Sequence, residues 1–374
     1  MPRPPSTLAT LPPATHGARD YGELIRLGLN PDKVIDFSAN SNPYGPHPAV
    51  LEAVAVAVTI DTLARYPDRD CLALRAAIAA AEKVSGEALL PGNGTVELIQ
   101  LIALAFVRPG SRHLILAPTF GEYAHAIHLL GGQVYEYRPP AASADLRLDA
   151  EGVAAAIRRL QPDSIWLCNP NNPTGQQWTA GELAYLRAAD PAHRALWVVD
   201  ESYRYFTADP IPLASWSEGE NVIILRSLTK DQALAGLRLG YAMAAPPLIA
   251  VLRAVQPTWS VNSLAQIAGV AALQAPVLAW RQHSLARLRQ HAASLWAGLA
   301  ELDFEVLPTT TSYTLVGVDN AANFRHRLLL QGLQVRDCAS FGLPRHIRMA
   351  ARRPAENESL LNAIKLQKET AKQC

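Results

Sequence analysis

Several features that mark particular classes of protein are missing from this chain of 374 residues. The formal net charge is only +1 at pH 7, so the composition does not predict a nucleic-acid-binding surface. Its cysteines are scattered, without a Cys-x-x-Cys pair, at Cys71, Cys168, Cys338 and Cys374. We therefore expect reduced thiols in a cytoplasmic protein, with no disulfide framework and no metal site.

Long apolar runs are also missing. The most apolar stretches, residues 49–60 and 265–280, are short or interrupted by Glu, Gln and Pro, so we expect no membrane span. The Pro-rich residues 1–15 lack the apolar core of a signal peptide and predict a flexible lead-in. Hydrophobic residues still make up 49% of the chain, which is enough for a packed globular core.

Strand-like and helical segments alternate through the middle of the chain. Strands are predicted at 113–116, 133–137, 164–168, 196–199, 222–225 and 239–244, with helices between them, for example at 121–130 and 151–160. This alternation predicts an α/β fold in which helices cover both faces of a mostly parallel sheet. Ligands of such sheets bind at the carboxyl ends of the strands.

The two ends of the chain do not continue the regular alternation of predicted strands and helices. We predict a helix at 47–63 before the alternating region and, after residue 258, a long amphipathic helix at 278–302. Further segments are predicted as strands at 304–307, 313–318 and 346–350 and as helices at 322–331 and from 356 onward. The resulting domain prediction is a large domain at 49–258, a small α+β domain at 259–374, and an N-terminal segment, 1–48, that joins the small domain.

Polar clusters follow the predicted strands one after another, at 118–120, 169–175, 200–203 and 227–230. Each cluster alone is typical of an ordinary turn, but their succession predicts one pocket. Lys230 stands out because a lysine can form a Schiff base with an aldehyde, and Ser227, Thr229 and Arg238 can hold a phosphate beside it. Pyridoxal 5′-phosphate (PLP) carries both groups, although a Ser-x-Thr-Lys run alone is more typical of a solvated strand end.

The remaining requirements of PLP chemistry have candidates nearby. Asp200, after an apolar strand, is the candidate carboxylate for the pyridine nitrogen. Asn172 and Tyr203 are candidate donors to the phenolic oxygen, and Phe120 is the candidate aromatic face over the ring. Backbone amides at a glycine turn before a helix complete the phosphate site, at Gly94, Thr95 and Val96.

The motifs NNPTG, DESY, SLTK and GLRLGY, in this order, resemble those of fold-type I PLP enzymes of the class I/II aminotransferase superfamily, over nearly the whole chain. The resemblance implies a PLP cofactor and a mostly parallel seven-stranded sheet. Within the superfamily the chain most resembles the L-threonine-O-3-phosphate decarboxylases of cobalamin biosynthesis, followed by histidinol-phosphate aminotransferases. The motifs that carry this finer resemblance are THG, DFSANSNPYG, RYPD, LPGNG and VRDCASFG.

The resemblance also implies roles for residues outside the strand ends. Arg348 would clamp the substrate carboxylate, while Arg336 and His16 would bind the substrate phosphate, with Asn42 and Asn172 lining the same pocket. Tyr66 would reach the cofactor phosphate of the other subunit, which implies a homodimer with shared active sites. One departure from the decarboxylases is Thr-Val-Glu after the GNG turn, where they typically have Glu-Thr-Glu, so any side-chain contact of Thr95 is shifted.

Residue types alone do not separate decarboxylation from amino transfer, because the same groups serve either reaction after a small rotation of the substrate. The resemblance favours decarboxylation of threonine phosphate to 1-aminopropan-2-ol O-phosphate. The alternatives are a histidinol-phosphate aminotransferase using 2-oxoglutarate, and a non-enzymatic PLP-binding regulator. Regulators of that kind usually carry a DNA-binding domain, for which we expect no room in the N-terminal lead-in.

Overall fold

The structure is a computed structural model that describes residues 16–140, 143–192, 194–219 and 221–373. The predicted lead-in at 1–15 lies outside the described residues. The strands, in chain order, are β1 (Ile35–Asp36), β2 (Leu89–Gly92), β3 (Arg112–Leu116), β4 (Gln133–Tyr137), β5 (Ser164–Cys168), β6 (Leu196–Asp200), β7 (Val222–Ser227), β8 (Gly240–Ala244), β9 (Tyr313–Gly317), β10 (Leu333–Gln334), β11 (Arg336–Asp337) and β12 (His346–Ala350).

The α-helices of the described residues alternate with these strands through the centre of the chain. In chain order they are α1 (Tyr21–Arg26), α2 (Pro48–Ala57), α3 (Ile60–Ala64), α4 (Leu72–Glu82), α5 (Gly94–Phe106), α6 (Glu122–Leu129), α7 (Ala150–Leu160), α8 (Ala180–Ala188), α9 (Pro246–Val255), α10 (Ser263–Ala272), α11 (Ala275–Glu301), α12 (Ala321–Leu329) and α13 (Pro354–Gln373).

A 7-stranded sheet, in the order β2-β8-β7-β6-β5-β3-β4, forms the centre of the fold. Strands β3 to β7 run parallel, whereas β8 pairs antiparallel with both β7 and β2 at one edge. The predicted α/β class and mostly parallel sheet are therefore confirmed. In the register, Asp200 lies beside Cys168 of β5 on one side and Leu225 of β7 on the other, which places the strand-end clusters next to one another.

Both faces of the sheet are buried, which explains why its central strands are continuously apolar. Successive side chains along a strand point to opposite faces of the sheet. Trp166 pairs with Val198 in the neighbouring strand, so Trp197 points to the opposite face, and the two tryptophans belong to different core clusters. Helices α5, α6 and α9 pack in the cluster of Trp166, and α4, α7, α8 and α10 pack in that of Trp197.

The C-terminal part of the chain forms a second, antiparallel sheet in the order β11-β12-β9. The N-terminal segment joins it through β1, which pairs in parallel with β10. Helix α11 is the predicted long amphipathic helix, and its buried residues include Leu285, Leu288, Leu295 and Leu299. The boundaries of the predicted domains remain a prediction.

Two of the predicted elements are wrong. The helix expected at 47–63 is two helices, because Thr59 adopts an extended conformation and its side chain accepts a hydrogen bond from the Thr62 amide, which starts a new helix. The strand expected at 304–307 is reduced to an isolated bridge between Val306 and Val316.

Among the described residues, no single helix is both long and apolar enough to cross a membrane. Helices α10 and α11 meet those criteria only as a pair, which is bent by 77°.

Candidate active site

A cleft of about 460 Å³ opens at the carboxyl ends of β3, β5, β6 and β7. Most of its lining comes from the four polar clusters predicted at strand ends and from the start of α5, with Tyr123, Cys168 and Arg238 beside them. The lining residues are Thr95, Val96, Phe120, Tyr123, Cys168, Asn172, Asp200, Ser202, Tyr203, Thr229, Lys230 and Arg238. The structure thus brings the predicted strand-end residues together in one cleft, while their individual roles remain predictions.

Lys230 lies in this cleft just after β7. Its backbone oxygen accepts a hydrogen bond from the Asn42 amide at 2.9 Å, which ties the N-terminal segment to the lysine. Burial, together with the positive charges of Arg348 and Arg238, lowers the pKa of Lys230 to about 8. The amine is therefore easier to deprotonate, and more nucleophilic near neutral pH, than an exposed lysine.

Asp200 ends β6 and is only 3% exposed. The Tyr123 hydroxyl donates to its Oδ2 at 2.7 Å, and the Ser202 amide donates to its Oδ1 at 2.8 Å. Burial raises the pKa of Asp200, and these donors oppose the rise by stabilising the carboxylate. Sequence reasoning assigned no role to Tyr123, although it closely follows the predicted cluster at 118–120.

Donor groups suited to a phosphate lie where α5 begins. Gly94 has φ +76°, a conformation that favours glycine, and a Cβ added there would lie 2.8 Å from Nη2 of Arg238, so the guanidinium would have to move. The Ser227 and Thr229 hydroxyls are hydrogen-bonded to each other at 2.6 Å. Free amides at a helix N-terminus, a guanidinium and paired hydroxyls are the donors that a phosphate requires.

The remaining predicted cofactor contacts lie in the same cleft. Tyr203 packs edge-on against Tyr313, with ring centroids 5.1 Å apart. Burial raises the pKa of the Tyr203 phenol, an effect that Arg348 opposes, so the hydroxyl stays protonated as a donor. Phe120 is half-buried and presents its ring to the cleft.

Two arginines face each other in the neighbouring sheet. Arg336 of β11 and Arg348 of β12 are directly opposed in the antiparallel register. Arg348, 4% exposed, donates to the Asn172 side-chain oxygen and to the Ser38 carbonyl, and no carboxylate of the described residues pairs with it. Arg336 donates to the Ser340 hydroxyl at 2.6 Å.

His16 lies at the edge of this arrangement. Its Nε2 is 2.6 Å from Oε1 of Glu122, and its ring centroid is 5.3 Å from that of Phe120. A Cβ on the adjacent Gly17 would lie 3.0 Å from Nη2 of Arg348 and 2.5 Å from the Ser38 carbonyl oxygen. The His16–Gly17 segment therefore lies directly against the arginine.

The side chain of Asn42, predicted to line the substrate pocket, is hydrogen-bonded within the protein. Asn42 uses its side-chain amide on the Asp231 carbonyl and the Ser284 hydroxyl, and its side-chain oxygen accepts from the Tyr44 amide. Asn40 is 2% exposed, and its side chain interacts with the Tyr203 phenol. The substrate contact of Asn42 stays a prediction.

Tyr66 is not part of the cleft within this chain. It is 76% exposed and stacks on Trp259 with ring centroids 4.2 Å apart. Its predicted contact with a second subunit remains a prediction.

This chain is similar to known proteins over most of its length. A family model described as aminotransferase class I and II matches residues 32–364. The chain is 33% identical to histidinol-phosphate aminotransferase of Moorella thermoacetica over 351 residues, which is 92% of this chain and 88% of that protein. It is 34% identical to threonine-phosphate decarboxylase of Salmonella typhimurium over 366 residues, 94% of this chain and 96% of that protein.

Among solved structures, the histidinol-phosphate aminotransferase of Sinorhizobium meliloti in complex with pyridoxal 5′-phosphate is similar, with a TM-score of 0.85 and 23% identity. The match covers 98% of this chain and 99% of that one. At this identity the likeness shows a shared fold.

Proposed function

This chain belongs to the class I and II aminotransferase family of PLP-dependent enzymes, and from that premise we propose that it decarboxylates L-threonine O-3-phosphate. The products are carbon dioxide and (R)-1-aminopropan-2-ol O-phosphate, with a proton replacing the carboxylate at Cα.

The residues of the cleft fit the cofactor of the family. The cup at Gly94, Ser227, Thr229 and Arg238 suits its phosphate, and the buried amine of Lys230 suits its aldehyde. When bound, pyridoxal phosphate supplies an electron-accepting ring that stabilises the charge left by a bond broken at the substrate Cα.

The observation that carries the proposal is the opposed pair Arg336 and Arg348. Side chains directly across an antiparallel pair lie on one face of the sheet, and like charges placed there repel each other. Burial and the charge of Arg348 lower the pKa of Arg336, against opposing effects of Cys338 and Asp337, so holding both cations there carries an electrostatic cost. A small ligand with two anionic groups offsets that cost, and threonine phosphate carries a carboxylate and a phosphate on one short carbon chain.

The neighbouring side chains orient this ligand and handle its protons. Arg348, held by Asn172 and Ser38, fixes the direction of the carboxylate and therefore which bond at Cα is broken. Lys230, with its lowered pKa, is the group in the cleft suited to give or take a proton at Cα. Asp200, held by Tyr123, keeps a carboxylate in place for the ring nitrogen.

Amino transfer is the second candidate function, because the relatives of this chain include histidinol-phosphate aminotransferases of similar identity. Histidinol phosphate also has a phosphate, but it lacks a carboxylate for Arg348. In that reaction Arg348 would instead bind a carboxylate of the second substrate, 2-oxoglutarate.

We also propose that the enzyme is a homodimer with shared active sites, supported by the exposed apolar side chains from α2 to the start of α4. They are Leu51, Val56, Val58, Ile60, Leu63, Tyr66 and Leu72. Apolar side chains exposed in such number are typical of an interaction surface. A second copy seated there would cover them and bring Tyr66 to the partner's cleft.

Sharing of sites is tested by mixing inactive variants. Lys230→Ala and Tyr66→Ala subunits, reassembled together, form one intact site per hybrid dimer, so activity returns on mixing. Activity that stays absent, while hybrid dimers are detected by native mass spectrometry, refutes shared sites.

The reaction itself is tested with purified holoenzyme and O-phospho-L-threonine. We expect release of carbon dioxide without any added 2-oxoglutarate. Glutamate formation from histidinol phosphate and 2-oxoglutarate, without carbon dioxide release from O-phosphothreonine, would show that the enzyme is an aminotransferase.

A further inference from the structure

The backbone that carries Lys230 is held from outside the cleft by Asn42. The Asn42 backbone amide donates to the Lys230 carbonyl at 2.9 Å, and its side-chain Nδ2 donates to the next carbonyl, that of Asp231, at 3.1 Å. Two consecutive carbonyl groups at the lysine are therefore bound by one residue of the N-terminal segment.

Helix α11 completes this attachment. The Ser284 hydroxyl accepts from Nδ2 of Asn42 at 2.9 Å and donates to the Arg281 carbonyl at 2.9 Å. Arg281 also pairs with the Asp231 carboxylate, with Nη1 and Oδ2 3.3 Å apart. Burial raises the pKa of Asp231, and the charge of Arg281 opposes that rise. We call Asn42, Asp231, Arg281 and Ser284 the lysine clamp.

The N-terminal segment also reaches the strand of Arg348. The Ser38 carbonyl accepts a hydrogen bond from the Arg348 guanidinium, and Ser38 and Asn42 are only 1% and 2% exposed. Residues 38–42 are thus buried and bound to Arg348 at one end and to the Lys230 backbone at the other. This short segment fixes the position of the lysine relative to the arginine proposed to bind the substrate carboxylate.

The position of the backbone decides where the Lys230 amine can react. A lysine side chain is a flexible stem, so the place of its amine depends on how its backbone is held. Bond formation needs close and oriented approach, and a misplacement of about 1 Å can cost about a hundredfold in rate. Both N–H groups of the Asn42 side chain are already used in the clamp.

We propose that Asn42 is a positioning residue whose side-chain amide, through the lysine clamp, places the Lys230 amine for capture of the cofactor aldehyde. The predicted contact of Asn42 with the substrate is the alternative role. The proposed role rests on the attachment of the cofactor to Lys230, which is part of the proposed function, but not on which bond at Cα is broken.

The test measures two properties of the full-length apo-enzyme. One is the rate of covalent capture of pyridoxal phosphate, followed by absorbance, and the other is the non-covalent Kd, measured by equilibrium dialysis in a Lys230→Ala background. Asn42→Ala removes the side-chain amide and keeps the backbone amide. We expect it to slow capture about tenfold, the range of one or two neutral hydrogen bonds. The non-covalent Kd should not change, because that background has no amine to place.

A second variant removes the same interaction from the other side. Ser284→Ala should slow capture about threefold, and adding it to Asn42→Ala should slow capture no further, because Ser284 acts through Asn42. Ser294→Ala is its control on the same helix, since the Ser294 hydroxyl donates to the Gln290 carbonyl at an exposed position. It should capture the cofactor as the wild type does.

A buried asparagine outside the cleft lining separates positioning from general stability. Asn357 is 6% exposed, and its side chain donates to the Arg352 carbonyl at 3.2 Å and accepts from the Arg352 amide at 2.8 Å. Asn357→Ala should lower thermal stability, as Asn42→Ala does, but leave the rate of capture unchanged.

The proposed role is wrong if folded Asn42→Ala captures the cofactor at the wild-type rate, and a raised substrate KM in that case would favour the substrate contact. Equal slowing in Asn357→Ala, or a weaker non-covalent Kd caused by Asn42→Ala, would show structural damage instead of positioning. If Asn42→Ala does not fold, a wild-type rate in Ser284→Ala refutes the role.

Failure of the proposed function has different signatures. Covalent capture that persists in Lys230→Ala would refute attachment at Lys230, and with it the role of Asn42. The expected capture rates together with no release of carbon dioxide from O-phosphothreonine would refute only the decarboxylation.

Discussion

The hydrogen bond between Tyr123 and Asp200 gives the sharpest test of how the site is held together. Tyr123 is fully buried and donates to Oδ2 of Asp200 at 2.7 Å, so Tyr123→Phe removes one donor and leaves the ring packing in place. The Ser202 amide remains on Oδ1. The substitution therefore isolates one of the donors that oppose the upward shift in the pKa of Asp200.

The size of the effect follows from the kind of bond that is lost. A hydrogen bond to a charged group contributes about 1.5–3 kcal/mol, and every 1.4 kcal/mol is a factor of ten. Loss of the donor raises the pKa of Asp200 further and weakens the ionised carboxylate as a partner for the cofactor ring. We expect kcat to fall by about tenfold or more, with a smaller change in KM.

The assay measures kcat and KM of reconstituted enzyme, with cofactor affinity determined by absorbance titration. Tyr137→Phe is the matched control, because Tyr137 donates to Asp149 at 2.8 Å in an exposed part of the chain. It should leave all three quantities unchanged. If Tyr123→Phe is as active as the wild type while Asp200→Asn is inactive, Tyr123 does not support the carboxylate and the reasoning fails.

Three further predictions concern Lys230 and the phosphate cup. Lys230→Ala should abolish turnover but keep part of the non-covalent cofactor affinity, measured by equilibrium dialysis; complete loss of binding would contradict the cup. The pKa of Lys230 is lowered to about 8, and the neutral amine is the nucleophile. The rate at which apo-enzyme captures the cofactor, followed by absorbance, should therefore rise about tenfold per pH unit below pH 8 and level off above it. A rate that continues to rise up to pH 10 would refute the lowered pKa. Gly94→Ala should raise the cofactor Kd at least about tenfold, because of backbone strain at φ +76° and the contact of the new Cβ with Arg238. Gly110→Ala is the control, since Gly110 has φ +80° but nothing within 4 Å of the added Cβ, and it should leave the cofactor Kd unchanged. Equal effects of the two substitutions on the Kd would refute the contact with Arg238.

Much of the site follows from sequence because parallel sheets place strand ends together. The clusters after β3, β5, β6 and β7 each look like an ordinary turn, yet the order of the strands brings Phe120, Asn172, Asp200 and Lys230 into one cleft. Local patterns predict this arrangement, since each strand is marked by its own apolar run.

Pairings between distant segments could not be predicted in the same way. Tyr123 and Asp200 are 77 positions apart, and His16 and Glu122 are 106 apart, so no local pattern connects them. The hydrogen bond from the Asn42 side chain to Ser284 of the long helix α11 spans 242 positions and is equally invisible to local patterns. The strand β2 contains Pro91 and Gly92, which obscure the signal of an edge strand.

The most direct test of the proposed reaction is to run it in deuterium oxide and to identify the product by mass spectrometry and NMR. If the enzyme breaks the bond between Cα and the carboxylate and then protonates Cα, O-phospho-L-threonine should yield 1-aminopropan-2-ol O-phosphate carrying one solvent deuterium on the aminomethyl carbon. Recovery of the intact amino acid with deuterium at Cα, or of a keto acid, would show that the Cα–H bond is broken instead and would contradict decarboxylation.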